Sequence, residues 1–563
     1  MQPTLRVIPF FVSLTLLVAY GQATGQGQSG EAFPTVRFDY DTLACNEVTM
    51  WTSNVGSMSH NPVTGRHGFE WPQGSGVYYI YQDGLLFSCK IFGLTFAGGT
   101  MYHAAWQPGY IRADGTPNDP NDAGMRLFRA RRIDSASFAM LTLDEQEAIK
   151  SDYVEWPAAL GAPWNDTDAN GRYDPDFDAW LHDASTADGP PLLGDEMLWC
   201  TMNDLDARTV RDLFGTSPVG MEMHTTMWAH RDSGCRSRAI FTRHRLIHKG
   251  IDNLDSMYLM IWSDPDVGFP TDDYVGIDTS LQMAYTYNAL AHDSLHGNVG
   301  VLGYLLLQGP AVHSPGYMAR FKGRDVTDRK NLPFTAFTMY ADAQPPFEDP
   351  QRKDPRGASM LFNNARGLFA SGEPFIDPHT GDTTTIMLAG DPLSGTGWLD
   401  RDNLPPGDRR MLASMGPMTL AVGDTQEVIY ARIVAEGGTP TEDLAALRET
   451  AACIVRTYRD TPLAVASPVS RSEFRITGIA PSPGKPGQML TLNVEHGMRT
   501  NGQVTVLLTD LLGRVLVKRT LPLPSSSPAR LPFPLPAALP GGVYSLRVSD
   551  GSHVHIRYVP VLK

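Results

Sequence analysis

Punctuation limits this chain most. From about Asp39 to Val434, short aromatic and β-branched runs alternate with clusters of Gly, Pro, Asp and Asn. With 53 glycines and 43 prolines in 563 residues, few stretches are left for long helices. "GVYYIYQDGLLFSCKIFG" (76–93) reads as a hairpin bending at Asp83-Gly84. Residues 237–268 read as two long strands joined by a turn around Gly250–Asn253, and "TLAVGDTQEVIYARIVA" (419–435) as a hairpin bending at Gly423-Asp424. Helical patterns are few: 142–156, and more clearly 439–460. In the latter Thr441 offers a cap, acids fill the first turn, and Leu444, Leu447, Ala451 and Val455 recur at helical spacing. The expected fold class is mainly β, with a large sandwich-like body over 26–460, as two lobes or one extended sandwich. The chain is too long for one core of ordinary size, so a further domain is expected.

The ends differ from the body. A short basic start, the apolar run "VIPFFVSLTLLVAY" (7–20) and small residues at Ala23 and Gly25 match a secretory signal peptide over 1–25, the run being short for a membrane span. The five cysteines, Cys45, Cys89, Cys200, Cys235 and Cys453, include no Cys-x-x-Cys pair, which leaves no zinc or redox motif. Export permits disulfides. Cys45–Cys89 is the expected bridge, against the alternative of free buried thiols. A net charge of −15 without a basic patch argues against nucleic acid as a partner. Residues 461–473, "TPLAVASPVSRSE", read as a linker. All ten tryptophans lie before residue 400, and 474–563 instead hold seven short β runs. That pattern predicts a small, seven-stranded, Ig-like β-sandwich.

Within this tail stand "PSPGKPGQMLTLNV" (481–494), "VTVLLTDLLGRVLVKRT" (504–520), "LPGGVYSLRVSDG" (539–551) and "HIRYVPVLK" (555–563). Asp510 ends a strand, Gly513 suits a tight hairpin turn, and Gly541-Gly542 precede Tyr544 on a strand. These residues resemble the C-terminal sorting domain of the type IX secretion system of Bacteroidetes-type bacteria. "PSPGKPG" replaces the usual Asn-Pro at the domain start, and "LPLPSSSPARLPFPLP" is richer in proline than usual. The resemblance implies passage through the type IX outer-membrane translocon, handling by its C-terminal signal processing machinery, and a location secreted or on the cell surface of a Gram-negative bacterium. The body is similar to large secreted proteins of the same kinds of bacteria, in "GFEWPQGSGVYYIYQDGLLF" (68–87), "GAPWNDTDANGRYDPDFD" (161–178), residues 243–288, "GDPLSGTGWLD" (390–400) and residues 415–437.

The densest polar stretch is "NDTDANGRYDPDFD" (165–178). Asp166, Asp168 and Asn170 take positions 1, 3 and 5 of a loop with Gly171 at 6, the opening of the calcium loops of EF-hands and dockerin-like repeats. The Arg172 carbonyl would supply position 7 and Asp174 position 9. Position 12 is Phe177, so closure would fall to Asp176 or Asp178. A structural calcium ion and a solvated Asp/Asn-rich turn both fit this pattern. A second acidic run holds Asp264, Asp266, Asp272, Asp273 and Asp278, close enough to repel unless spread out or metal-bound. It reads as a second calcium site or as a catalytic carboxylate pair of the glycosidase kind. "GDEMLWCTMNDLD" (194–206) is a third acidic stretch.

His244 and His248 lie in an alternating run, which as a strand sets them about 13 Å apart, too far to share a metal. His224 and His230 match no zinc-hydrolase spacing. No nucleophile elbow, phosphate loop or dinucleotide fingerprint occurs. Trp164, Trp180 and Trp199, near the acidic runs, read as packing more than as sugar platforms. The expected function is an exported surface protein of adhesive, binding or structural role, stabilised by calcium and facing a surface glycan or protein ligand, with no catalytic residue assigned. The rival is a secreted glycoside hydrolase using paired carboxylates.

Overall fold

The computed structural model describes residues 38–460, apart from 233, 291, 292, 294, 295, 342 and 343, and residues 475–562, apart from 482, 496–501, 510–514, 525–528 and 550–553. The expected signal segment, the linker and the turn at Gly513 lie outside these residues.

Two nine-stranded antiparallel sheets build the body. The first runs Tyr40–Leu43, Thr49–Ser53, Phe69–Glu70, Tyr78–Ile91, Leu254–Pro265, Arg409–Leu420 and Ala336–Ala341, with Leu94–Met101 branching from Tyr78–Ile91 and His103–Ala104 pairing with it in turn. The second runs Phe128–Arg131, Glu196–Asn203, Met221–Ala229, Ala239–His248, Thr425–Ala435, Val301–Gln308, Met283–Asn288 and Asp273–Asp278, with Gln107–Pro108 also pairing with Glu196–Asn203. Side chains alternate along each strand, and the alternation sorts them into layers. Phe87, Leu259, Ile261 and Met411 of the first sheet meet Met223, Leu246, Val428 and Tyr430 of the second in one core. That core runs from Leu43 to Val434.

Both outer faces are apolar as well, and helices cover them. Leu86, Met260, Trp262 and Leu412 pack under helices Ala207–Phe214 and Pro355–Ala365. Ile429 and Ile433 pack under helix Pro440–Asp460, through Leu444, Leu447, Ala451 and Ile454, while Trp199 and Trp228, on strands further along the sheet, pack against Phe128 and Phe241 in the same layer. Covering both faces explains why the central strands read as near-continuous hydrophobic runs rather than strict alternation.

Two hairpin readings change, at Asp83-Gly84 and at Gly423-Asp424, while residues 237–268 form two strands joined by a turn, as expected. Tyr78–Ile91 is one unbroken strand of 14 residues, and its hairpin partner Leu94–Met101 begins after Phe92-Gly93. Asp83 is fully buried between the sheets, where Arg432 Nε donates to its Oδ2 at 2.6 Å. A Cβ on Gly84 would stand 2.6 Å from the Thr100 Cβ, so this glycine marks a close approach and not a bend. The turns near Gly250–Asn253 and Gly423-Asp424 each pass the chain from one sheet to the other. Ala239–His248 pairs with Thr425–Ala435, while Leu254–Pro265 pairs with Arg409–Leu420. The two arches bond each other, with His248 N donating to Asp424 O and Gly423 N to His248 O. The disulfide is Cys235–Cys453, tying helix Pro440–Asp460 to the short turn Cys235–Arg238, while Cys45 and Cys89 are free.

The tail forms the seven expected strands, as a three-stranded sheet (Arg475–Ala480, Met489–Glu495, Ala529–Pro534) and a four-stranded one (Val515–Leu523, Gly502–Thr509, Gly542–Ser549, Val554–Val561). Leu490, Leu492, Val504, Val506, Phe533 and Leu546 close its core, which is made of its own residues.

Candidate metal centres and the cavity beside them

The acidic loop is shaped by its neighbours. Trp164 is buried, Trp156 Nε1 donates to Pro163 O at 2.9 Å, and Asn165 N donates to Gly189 O at 2.8 Å. The last bond lays residues 188–189 along the start of the loop. Gly189 is required there, because a Cβ would stand 2.5 Å from Trp180 Nε1. Left-handed backbone at Ala169 (φ 57°) and Gly171 (φ 77°) then curls the chain back. Asp166 accepts from Asn170 N at 3.0 Å and Gly171 N at 2.9 Å. Asp168 accepts from Asn170 N at 3.0 Å and from Asn170 Nδ2 at 2.6 Å.

The third carboxylate is Asp188, which is buried. It accepts from Thr167 N and Thr167 Oγ1, both at 2.9 Å, and from Asp174 N at 3.1 Å. Asp166, Asp168 and Asp188 each bring an oxygen to a point where the three lie within 4.8 Å of one another. The predicted closure differs. Asp176 caps helix Phe177–His182, and Asp178 stands exposed in its first turn, so neither completes the loop. Asn170 directs its amide nitrogen at Asp168 and Asp174, while its oxygen accepts from Arg172 N at 2.6 Å. Arg172 and Asp174 are exposed at the rim.

The second acidic run divides. Asp264 ends strand Leu254–Pro265 and Asp266 follows it. Asp408, which sequence reasoning missed, precedes strand Arg409–Leu420, the neighbour of Leu254–Pro265 in the sheet. One oxygen from each of Asp264, Asp266 and Asp408 lies within 4.8 Å of the others. Asp272, Asp273 and Asp278 stand outside this group. Asp272 is buried, Asp273 Oδ2 accepts from Val267 N at 3.0 Å, and Asp278 pairs with Arg448 at 3.0 Å. His67 Nε2 bonds Asp266 Oδ2 at 2.7 Å. Arg410 reaches Asp264 through Nε at 3.2 Å and Asp408 through Nη2 at 2.8 Å, and its Nε donates to Tyr102 Oη at 2.6 Å. Burial first, and then the Asp266 charge, push the Asp264 carboxyl well above its usual range, against the pull of Arg410.

Arg410 and Tyr102 are also part of the wall of a half-open cavity of about 710 Å³, with His60, Tyr81, Gln82 and Arg352. Burial holds the imidazoles of His60 and of nearby His103 below their ordinary value. Arg352 and Arg410 both lie over the Tyr102 ring, at 5.4 and 6.0 Å from its centroid. This wall is polar, and through Arg410 it touches Asp264 and Asp408 of the acidic group.

The remaining candidates are structural. His244 and His248 lie on one strand, as their spacing predicts, and bond separately, His244 to Thr225 and Tyr430 and His248 to Asp252 O. His224 bonds Glu222, whose other oxygen accepts from Lys249 Nζ at 2.6 Å. Trp164, Trp180 and Trp199 are all buried. In the third stretch Asp204 accepts from the N–H groups of Val219, Gly220 and Met221, within the sheet.

Neither Asp188 nor Asp408 had a local signal. The loop gains Asp188 through the Asn165–Gly189 bridge, and Asp408 reaches Asp264 through strand register; both contacts are long-range in sequence.

No family model and no curated protein matches the chain. Among solved structures, a polysaccharide lyase is similar over 61% of this chain and 34% of its own, at 6% identity and a TM-score of 0.18. Latent PorU from Porphyromonas gingivalis is similar over 65% and 31%, at 9% identity and 0.15. A Faecalibacterium prausnitzii β-glucuronidase is similar over 47% of each chain, at 10% identity and 0.14. The chain thus spans about a third of the lyase's length, and scores this low carry no argument about fold or function.

Proposed function

We propose that this chain is an exported protein of the cell exterior with a binding or structural role, its body stabilised by calcium and its tail serving delivery. The observation that supports this most is the arrival of buried Asp188 beside Asp166 and Asp168. Three carboxylates converge there on an all-oxygen site whose loop is already curled by Ala169 and Gly171. Oxygen donors suit a hard cation, and calcium at the levels met outside cells binds such modules in the 0.1–1 mM range. The Cys235–Cys453 bridge accords with an oxidising compartment, and the separate core of the seven-stranded tail accords with a detachable delivery module.

Thermal melting of the full chain with about 10 mM calcium and with chelator tests the metal. For a dissociation constant near 0.1–1 mM, calcium adds roughly 1.4–2.7 kcal/mol. Asp168→Ala and Asp188→Ala should each remove the loop's share of that increment, whatever their effect on the chelated protein. Equal calcium shifts in all three proteins would remove the loop as the site. Delivery is tested in a bacterium with type IX secretion, where deletion of 474–563 should hold the body inside the outer membrane.

The glycoside hydrolase reading draws on the cavity beside Asp264. Against it, Trp164, Trp180 and Trp199 are buried and offer no face to a sugar. Reducing ends released from a polysaccharide panel would establish it in place of the binding role.

A further inference from the structure

We propose that Asp264, Asp266 and Asp408 form a second, independent site for a hard divalent cation beside the wall of the 710 Å³ cavity. This inference does not rest on the calcium loop or on where the protein is delivered.

Three observations point the same way. First, the three carboxylates each place an oxygen within 4.8 Å of the others. Calcium–oxygen bonds of 2.3–2.6 Å put ligand oxygens on opposite sides of the ion at most about 5 Å apart, so one ion can touch all three. Second, Asp266 Oδ1 has no hydrogen-bond partner among the described residues, although the Asp266 side chain is only 10% exposed. Its Oδ2 is pinned to His67 Nε2 at 2.7 Å, which fixes the carboxylate and leaves Oδ1 to something else. A buried carboxylate oxygen without a donor is costly and calls for a ligand. Third, the Arg410 guanidinium faces two of the three carboxylates, Asp264 and Asp408. One guanidinium against three carboxylates leaves an excess of negative charge, which a divalent cation cancels.

The setting favours a defined site. The loop site hangs on irregular backbone, and its carboxylates are engaged by N–H groups. Asp264 instead lies on strand Leu254–Pro265, and Asp408 immediately precedes the hydrogen-bonded neighbouring strand Arg409–Leu420, with Ser263 opposite Met411 in the register. Ligands held at strand ends keep their geometry better than ligands on loops. With carboxylates alone as donors, the site selects calcium, magnesium or manganese over softer metals. A bound ion would share Asp264 and Asp408 with Arg410, and so set how firmly this guanidinium is held at the cavity wall.

The test is calorimetric titration of the chelator-treated full chain with calcium and, separately, with manganese. In an Asp168→Ala background, which removes the loop site, one ion per chain is expected. Asp266→Asn or Asp408→Asn added to that background should bring binding to zero, with tryptophan emission unchanged as the check on folding. Arg410→Gln removes a competing charge and should tighten binding about threefold or more, whereas damage to the scaffold would weaken it. The proposal is overturned if the Asp168→Ala chain binds neither ion, if binding survives both asparagine variants, or if Arg410→Gln abolishes binding. One ion that ignores Asp168→Ala and is lost with Asp266→Asn would sustain this site while removing the loop. One ion with the opposite pattern would remove this site and sustain the loop.

Discussion

His244 sits between the sheets with both ring nitrogens engaged, by Thr225 Oγ1 at 3.0 Å and Tyr430 Oη at 3.3 Å. Burial, and then the nearby Arg432 charge, push its pKa from the ordinary 6.5 down to about 3. A depressed histidine favours the fold while neutral. Its contribution is complete above pH 6.5 and is lost as pH falls toward 3, at about 1.4 kcal/mol per pH unit. Denaturant titrations read by tryptophan emission report on the body alone, because every tryptophan precedes residue 400. His244→Gln should flatten the acid slope between pH 6 and 4 by that amount, and an unchanged slope would count against the assignment. The Asp83–Arg432 pair calls for a second comparison. Both side chains are fully buried, so Asp83→Ala strands a guanidinium in the core and should cost about 3–5 kcal/mol, whereas Asp83→Ala combined with Arg432→Met should recover much of it. If the double variant is as unstable as the single one, the pair is not the source of the cost. At this scale Asp166 and Asp168 were legible, because turn chemistry is local and alternation aims short acids inward. Asp188 and Asp408 were not, because each joins its group across a long-range contact.

Strands and helices obey the same division. The strand-like character of 237–268 and 419–435 was plain, yet their pairing was not, since alternation along a strand does not name the sheet it joins. Asp83-Gly84 reads as a hairpin turn because Asp-Gly is among the dipeptides that favour two-residue hairpin loops. Here an inter-sheet ion pair claims the aspartate and the Thr100 contact claims the glycine. Helix Pro355–Ala365 carries a readable start, Asp354 as N-cap before a first-turn proline, and Asp206 caps Ala207–Phe214. Both are short, and their signals drown among other Asp-rich turns. Helix Pro440–Asp460 is legible except at its start, where Thr439 Oγ1 accepts from Glu442 N at 3.4 Å and the predicted cap Thr441 lies inside the helix. The Cys235–Cys453 bridge closes a separation of 218 residues, for which loop-closure entropy sets a ceiling of about 5 kcal/mol. Replacing both cysteines with serine should lower body stability by about 2–5 kcal/mol in oxidised samples. Dithiothreitol should lower the wild type to match and leave the variant unmoved. A drop in the variant on reduction would show that other thiols matter.

The whole molecule comprises a helix-covered two-sheet sandwich and a seven-stranded module with its own core. Because the tail's core contains only tail residues, deletion of 474–563 should leave the tryptophan-detected unfolding of the body within about 0.5 kcal/mol, the usual range for changes remote from a core. A larger loss would mean that the two share stabilising contacts. By itself the sequence determined the β class, the seven tail strands, the last helix and the opening of the acidic loop. Each of these follows from side-chain period, turn residues or caps, which act over a few positions. Tertiary structure alone decided which strands share a sheet, that helices cover both outer faces, which cysteines pair, and that Asp188 and Asp408 complete the acidic groups. Those outcomes depend on burial and register between segments far apart in the chain, where no local pattern fixes the partner.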